Sequence, residues 1–163
     1  MHSRVLYLHE NIENYADFIN AKECAPPDYE VAECLGFNDY AVDRTSAELV
    51  LDVQWFKDEY TFFQIQKDEI GYFFEITKDS LNALQIEIYD YIKKNLENFL
   101  RYKFDNTSLL NDIMFLIDDR YGFHLLVDPN DAPITVRDFI LNYYINCKHT
   151  IRYYIVHSYD YHY

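Results

Sequence analysis

Ten carboxylates fall between Glu23 and Glu59, and only Arg44 and Lys57 stand against them. Nine of the ten form the candidate partner-binding set: Asp28, Glu30, Glu33, Asp39, Asp43, Glu48, Asp52, Asp58 and Glu59. Carboxylates at this density can do two kinds of chemistry. Two that converge in a cleft can act as general acid and general base. Many on one frame make a field that steers a Lys/Arg-rich surface into contact and speeds association at low salt. Duplex DNA presents one negative charge per roughly 1.7 Å of axis, so a protein replacing it needs many acids on a rigid frame. With 28 acids in the chain, nothing in the sequence selects a catalytic pair, and the second kind of chemistry is the expectation.

The wider charge count supports it. The 163 residues carry 28 acids and 14 bases, a formal net charge of −14. Residues 1–76 hold sixteen acids and five bases, net −11, whereas residues 77–163 hold twelve and nine, net −3. Solubility asks of a small domain a net charge of only about 2–8 in magnitude. Crowding like charges costs stability through self-repulsion, so the acidic first half suggests a use, and its natural object is a basic protein. The same balance disfavours direct nucleic-acid binding, which needs Lys and Arg to neutralise phosphates.

Other reaction chemistries lack their residues. Gly36, Gly71 and Gly122 are isolated, so no glycine-rich loop can cradle phosphates or a dinucleotide. There is no G-x-S-x-G elbow, and Cys147-Lys148-His149 has no second pair at zinc spacing. The paired H-x-T/S pattern is absent as well. No catalytic residue, metal ligand or cofactor is expected. Cys24, Cys34 and Cys147 are an odd number and make no disulfide framework. With no signal-like start and no run of 18 apolar residues, they point to a reducing cytoplasm and no membrane. Cys34 reads as a small buried apolar residue. Seven of the 17 tyrosines lie between Tyr143 and Tyr163. Base stacking would want a positive groove there, so core packing is expected for most, and an interface, including homodimer pairing along an exposed terminal strand, for the rest.

The elements that must position these residues follow from periodicity. Arg4 to Leu8 reads as a strand, and residues 11–22 as a helix with Ile12, Tyr15, Ala16 and Ile19 on one stripe. Pro26-Pro27 separates it from a short helix over 28–35 with Gly36 as its cap. From Glu48, Leu49, Leu51, Val53 and Trp55 alternate with wetter neighbours, which is strand spacing. Thr45 and Glu48 also fit a capping box, and Leu49, Val53 and Phe56 a helix. The strand is preferred because 60–66 and 72–77 follow at a regular interval, each after or before a repeated Lys-Asp-Glu. A long helix is expected over about 80–103, another over 108–118, a strand over 123–127, a turn at Asp128-Pro129-Asn130-Asp131, a helix from Thr135 to about Asn146, and a terminal strand over 150–163. In that last strand Ile151, Tyr153, Ile155, His157, Tyr159 and Tyr161 should share one side.

The expected class is α+β in one domain, residues 1–163: a three-stranded antiparallel meander over about 48–77, packed by the long helix, with further helices and a C-terminal strand. The expected function is an acidic inhibitor or decoy that binds the basic, nucleic-acid-binding site of another protein, such as a defence nuclease, and blocks it. An immunity protein for a basic toxin and a small carboxylate-dependent enzyme are the alternatives. Compact, glycine-poor, acidic and free of catalytic motifs, the chain resembles phage counter-defence proteins in composition, which implies the same inhibitory role.

Overall fold

The computed structural model describes residues 2–10, 12–35, 40–102, 122–144 and 149–162. Asp39, the cap at Gly36, the expected helix over 108–118 and Cys147 lie outside them.

The class is α+β, and its centre is the last strand. β7 (Ile151–His162) contains Ile, Tyr and Val at both parities, so it can bury both faces, and it does. Along one edge it pairs antiparallel with β1 (His2–His9). Its other edge is shared: 151–155 pair with β4 (Tyr72–Ile76) and 159–162 with β2 (Tyr40–Asp43). β3 (Gln66–Lys67) extends the sheet beyond β4. β5 (Phe123–Leu126) pairs parallel with β1, and β6 (Ile134–Thr135) closes that side. The seven strands form one mixed sheet. Between Tyr7 and Leu8 the β1–β7 register shifts, with Tyr7 opposite His157 and Leu8 opposite Ile155. This bulge at Val156 breaks the expected alternation. Tyr153 and Ile155 point to one core, while Tyr154, Val156, Tyr159 and Tyr161 point to the other.

Helices cover both faces. α1 (Tyr15–Glu23) and α2 (Asp28–Leu35) lie on the side of Tyr154 and Tyr159. α1 starts later than the sequence suggests because Asn14 caps it, accepting from the amides of Ala16 and Asp17. Tyr15 and Ala16 are consequently exposed, and Phe18 and Ala21 pack inward. Gly71 makes room for this: a Cβ there would stand 2.8 Å from the Phe18 ring. The opposite core takes α3 (Ser46–Glu59), the 3-10 turn Thr61–Phe63, the first turns of α4 (Lys78–Tyr102) through Leu81 and Leu84, and α5 (Val136–Phe139), which continues as a π-helical turn over Ile140–Tyr144.

The meander expected over 48–77 is corrected. Residues 46–59 are helical, capped by a full Thr45–Glu48 box, with Leu49, Val53 and Phe56 buried and Leu51 66% exposed. Period 3.6 wins because the neighbouring strand positions are already filled by β1, β2 and β4 around β7. Residues 60–66 hold the 3-10 turn Thr61–Phe63, ended by Gln64 at φ 51°, with Phe62 and Phe63 in the core and only Gln66 in a strand. Only the short β3–β4 hairpin and the long helix survive of that arrangement. Among the described residues no helix is long and apolar enough to cross a membrane.

Candidate acidic cleft and buried charge hub

The eight candidate acids among the described residues fall on both sides of the sheet and, at Asp43, on its edge. On α2, Glu30 and Glu33 are exposed and Asp28 is half-buried. Spacing of three residues sets Glu30 and Glu33 on one helix face, about 5–6 Å apart at Cβ. On α3, Glu48 stands at the first turn and Asp58 and Glu59 at the far end, about 15 Å away along the axis. Asp43 ends β2 on the edge between them, exposed, with its carboxylate 3.1 Å from His157 Nε2. Asp39 lies outside the described residues. The set is therefore not one surface.

Asp52 belongs to no surface at all, being 2% exposed. Arg4 Nε donates to its Oδ1 at 2.9 Å, Arg44 Nε to its Oδ2 at 3.1 Å and Ser158 Oγ to its Oδ2 at 2.8 Å. Arg4 also binds Asp160, and Arg44 reaches Glu48 at 2.9 Å. Trp55 roofs the group, its ring 5.5 Å from the Arg4 guanidinium carbon. A buried charge survives only when paired and hydrogen-bonded, and both carboxylate oxygens here are. Glu48 serves the same assembly: hydrogen bonds from the Thr45 backbone and hydroxyl hold its carboxyl below the ordinary range. At the other end of α3, Asp58 accepts from Gln54 and Glu59 from Trp55, both at 2.8 Å. These acids are occupied locally.

Of the candidate acids, Glu30 and Glu33 line a depression. A cleft of about 300 Å³ runs between α2 and the turn after β5. Its floor is apolar, from Pro26, Val31, Leu126 and Pro133. Glu30, Glu33 and Cys34 stand on one wall, and Asn130 and Asp131 on the other. No Lys, Arg or His lines it among the described residues. The local sequence builds each wall. α2 turns Val31 and Ala32 inward, which carries Glu30, Glu33 and Cys34 outward; Cys34 is exposed, contrary to the buried position expected from its type. The opposite wall is an Asp128 turn, its Oδ1 accepting from the Asn130 amide at 2.9 Å. That bond holds the Asp128 carboxyl below its usual range. Behind the floor, the Tyr159 hydroxyl donates to the Pro26 carbonyl at 2.6 Å, anchoring the start of α2 to the sheet, and burial drives its pKa well up.

Asp131 was missed as a site residue because its half of the chain is nearly balanced in charge. Its turn was legible in the sequence, but the parallel β1–β5 pairing that sets it across from α2 was not. Among the described residues no cluster of three or more His, Cys, Asp or Glu side chains could hold a metal ion. Comparison with family models, curated proteins and solved structures finds no match.

Proposed function

We propose that the protein binds a basic site on another protein through the α2 cleft and blocks that site by occupying it. What supports the reading is the cleft itself: acids from two segments distant in the chain line one depression to which no described Lys, Arg or His contributes. The apolar floor adds selectivity. An arginine or lysine can lay its aliphatic stem on Val31 and Leu126 and keep its charged head among Glu30, Glu33 and Asp131. The surrounding field, net −14, would speed encounter with a surface rich in such side chains. A groove that normally holds nucleic acid is the target class best matched to that chemistry, because it presents Lys and Arg in number. The acids of α3 stand outside the contact in this reading, since their carboxylates are engaged within the fold.

The test is capture of a host nucleic-acid-binding protein on the immobilised chain at low salt. Retention should fall when salt is raised, when duplex DNA competes, and in the Glu30→Lys/Glu33→Lys/Asp131→Lys variant. Capture that ignores all three treatments would place the contact elsewhere and remove the decoy reading.

A further inference from the structure

A second depression has the opposite sign. It is a groove of about 200 Å³ between α3 and β3, and both of its charged lining residues are lysines, Lys57 and Lys67. Val50, Ile65 and Tyr72 supply apolar wall. Residues 1–76 contain only five basic side chains. Arg4 and Arg44 are consumed by Asp52, Asp160 and Glu48, and Lys22 donates to the Ser46 hydroxyl. The remaining two are these lysines, which make no ion pair among the described residues; Lys67 lies 4.9 Å from the centre of the Tyr72 ring. In a chain with a twofold excess of acids, the two cations of its acidic half that neither pair with a carboxylate nor donate to a side chain among the described residues share one groove.

The groove adjoins an open sheet edge. β3 is the terminal strand beyond β4, and no described residue pairs with its outer side. An edge of unpaired backbone N–H and C=O groups is a template for one more strand. At about 200 Å³ the space lies below the range of roughly 300–1,000 Å³ usual for small-molecule sites. It fits one or two side chains of an extended chain whose backbone hydrogen bonds supply the rest of the affinity. We infer that this groove docks an extended segment of another protein, which adds to the β3 edge, sets an acidic side chain against Lys57 and Lys67, and rests an apolar one on Val50, Ile65 and Tyr72. Side chains two apart on a strand share a face, so the recognised pattern is an apolar residue and a Glu or Asp at i and i+2. This site is separate from the α2 cleft, which lies across the sheet and selects the opposite charge.

The probe is a short fluorescent peptide that alternates serine with valine and glutamate in turn, read by anisotropy at low salt. It should bind the intact chain. The Lys57→Glu/Lys67→Glu variant should weaken binding at least tenfold, and the α2-cleft triple variant should leave it unchanged, which separates failure here from failure of the proposed function. N-methylation of alternate peptide amides should also abolish binding, because it removes strand donors; undiminished binding would mean a docked helix or a loose charge contact and would overturn the assignment. So would equal binding by a peptide with lysine in place of glutamate, or no binding to the intact chain at millimolar peptide. Sedimentation supplies the last arm: concentration-dependent self-association that the lysine reversals dissolve would assign the groove to a second copy instead. Both lysines are exposed, and unchanged circular dichroism checks that the variants fold.

Discussion

The two sides of the sheet use carboxylates in opposite ways. Under α3, Asp52 is sealed among Arg4, Arg44 and Ser158, with Asp160 completing the network. Over α2, Glu30, Glu33 and Asp131 face a cleft with no cation. The residue types are the same, and Glu30, Glu33 and Asp52 come from one acidic stretch of sequence. Their roles separate only through what the fold sets opposite them. Net charge thus describes a chain poorly: the Asp52 carboxylate is engaged in internal order while those of Glu30 and Glu33 stand exposed at a cleft.

The largest effect should come from the sealed side. Asp52→Ala takes the shared buried acceptor from two guanidinium groups and a hydroxyl, leaving Arg4 with Asp160 and Arg44 with Glu48. Removing one member of a buried ion pair costs about 3–5 kcal/mol, which is the upper bound here. Urea denaturation measures it; a loss below about 1 kcal/mol would show that water replaces the carboxylate and that the hub is not structural. Next is Thr45→Ala, which removes the cap of the helix carrying Asp52 and should cost about 1 kcal/mol, read from the same curves.

The α2 side should respond to acid through His124. Burial holds its imidazole below the ordinary value, and its Nδ1 has no hydrogen-bond partner among the described residues. The unfolded chain therefore takes up the proton first. Stability from this residue is complete above about pH 6.5 and is lost as pH falls toward the folded-state value. Comparing urea midpoints at about pH 7.5 and 5.5 should show that loss, and His124→Phe should flatten it; an unchanged slope would mean that other groups set the acid limit. The smallest effect belongs to the open cleft. Glu30→Lys/Glu33→Lys should shift the melting midpoint by no more than about 2 °C, since both side chains are exposed. A large fall would make these acids structural and erase the contrast with Asp52.

Local signals carried part of this organisation in the sequence. Pro26-Pro27 and the 28–35 periodicity mark α2, and the Asp-Pro-Asn-Asp turn is visible by residue type. α3 was misread because Leu49, Leu51, Val53 and Trp55 satisfy period 2 as readily as Leu49, Val53 and Phe56 satisfy 3.6. The capping box was the better guide, since it depends on backbone donors that a strand does not leave free. The aromatic run at 60–66 carries high strand propensity, yet its Phe side chains are worth more in the core than in a ladder. For the cleft, half was legible. Glu30 and Glu33 were named from composition, but Asp131 depends on a pairing between β1 and β5 that no local pattern encodes.

β7 carries a consequence for the order of events in folding. Among the described residues β2 pairs with nothing else and the β3–β4 hairpin joins the sheet only through it, and Arg4 meets Asp160 across 156 positions of chain. On a ribosome, β1, β2 and β4 must each wait for β7 with at least one hydrogen-bonding edge bare. Contacts so distant in sequence are slow to form, and waiting edges are where chains stick to one another. The strand that joins the finished sheet is thus the one whose absence leaves edges open, and a net charge of −11 over residues 1–76 is of the kind that opposes association in that interval.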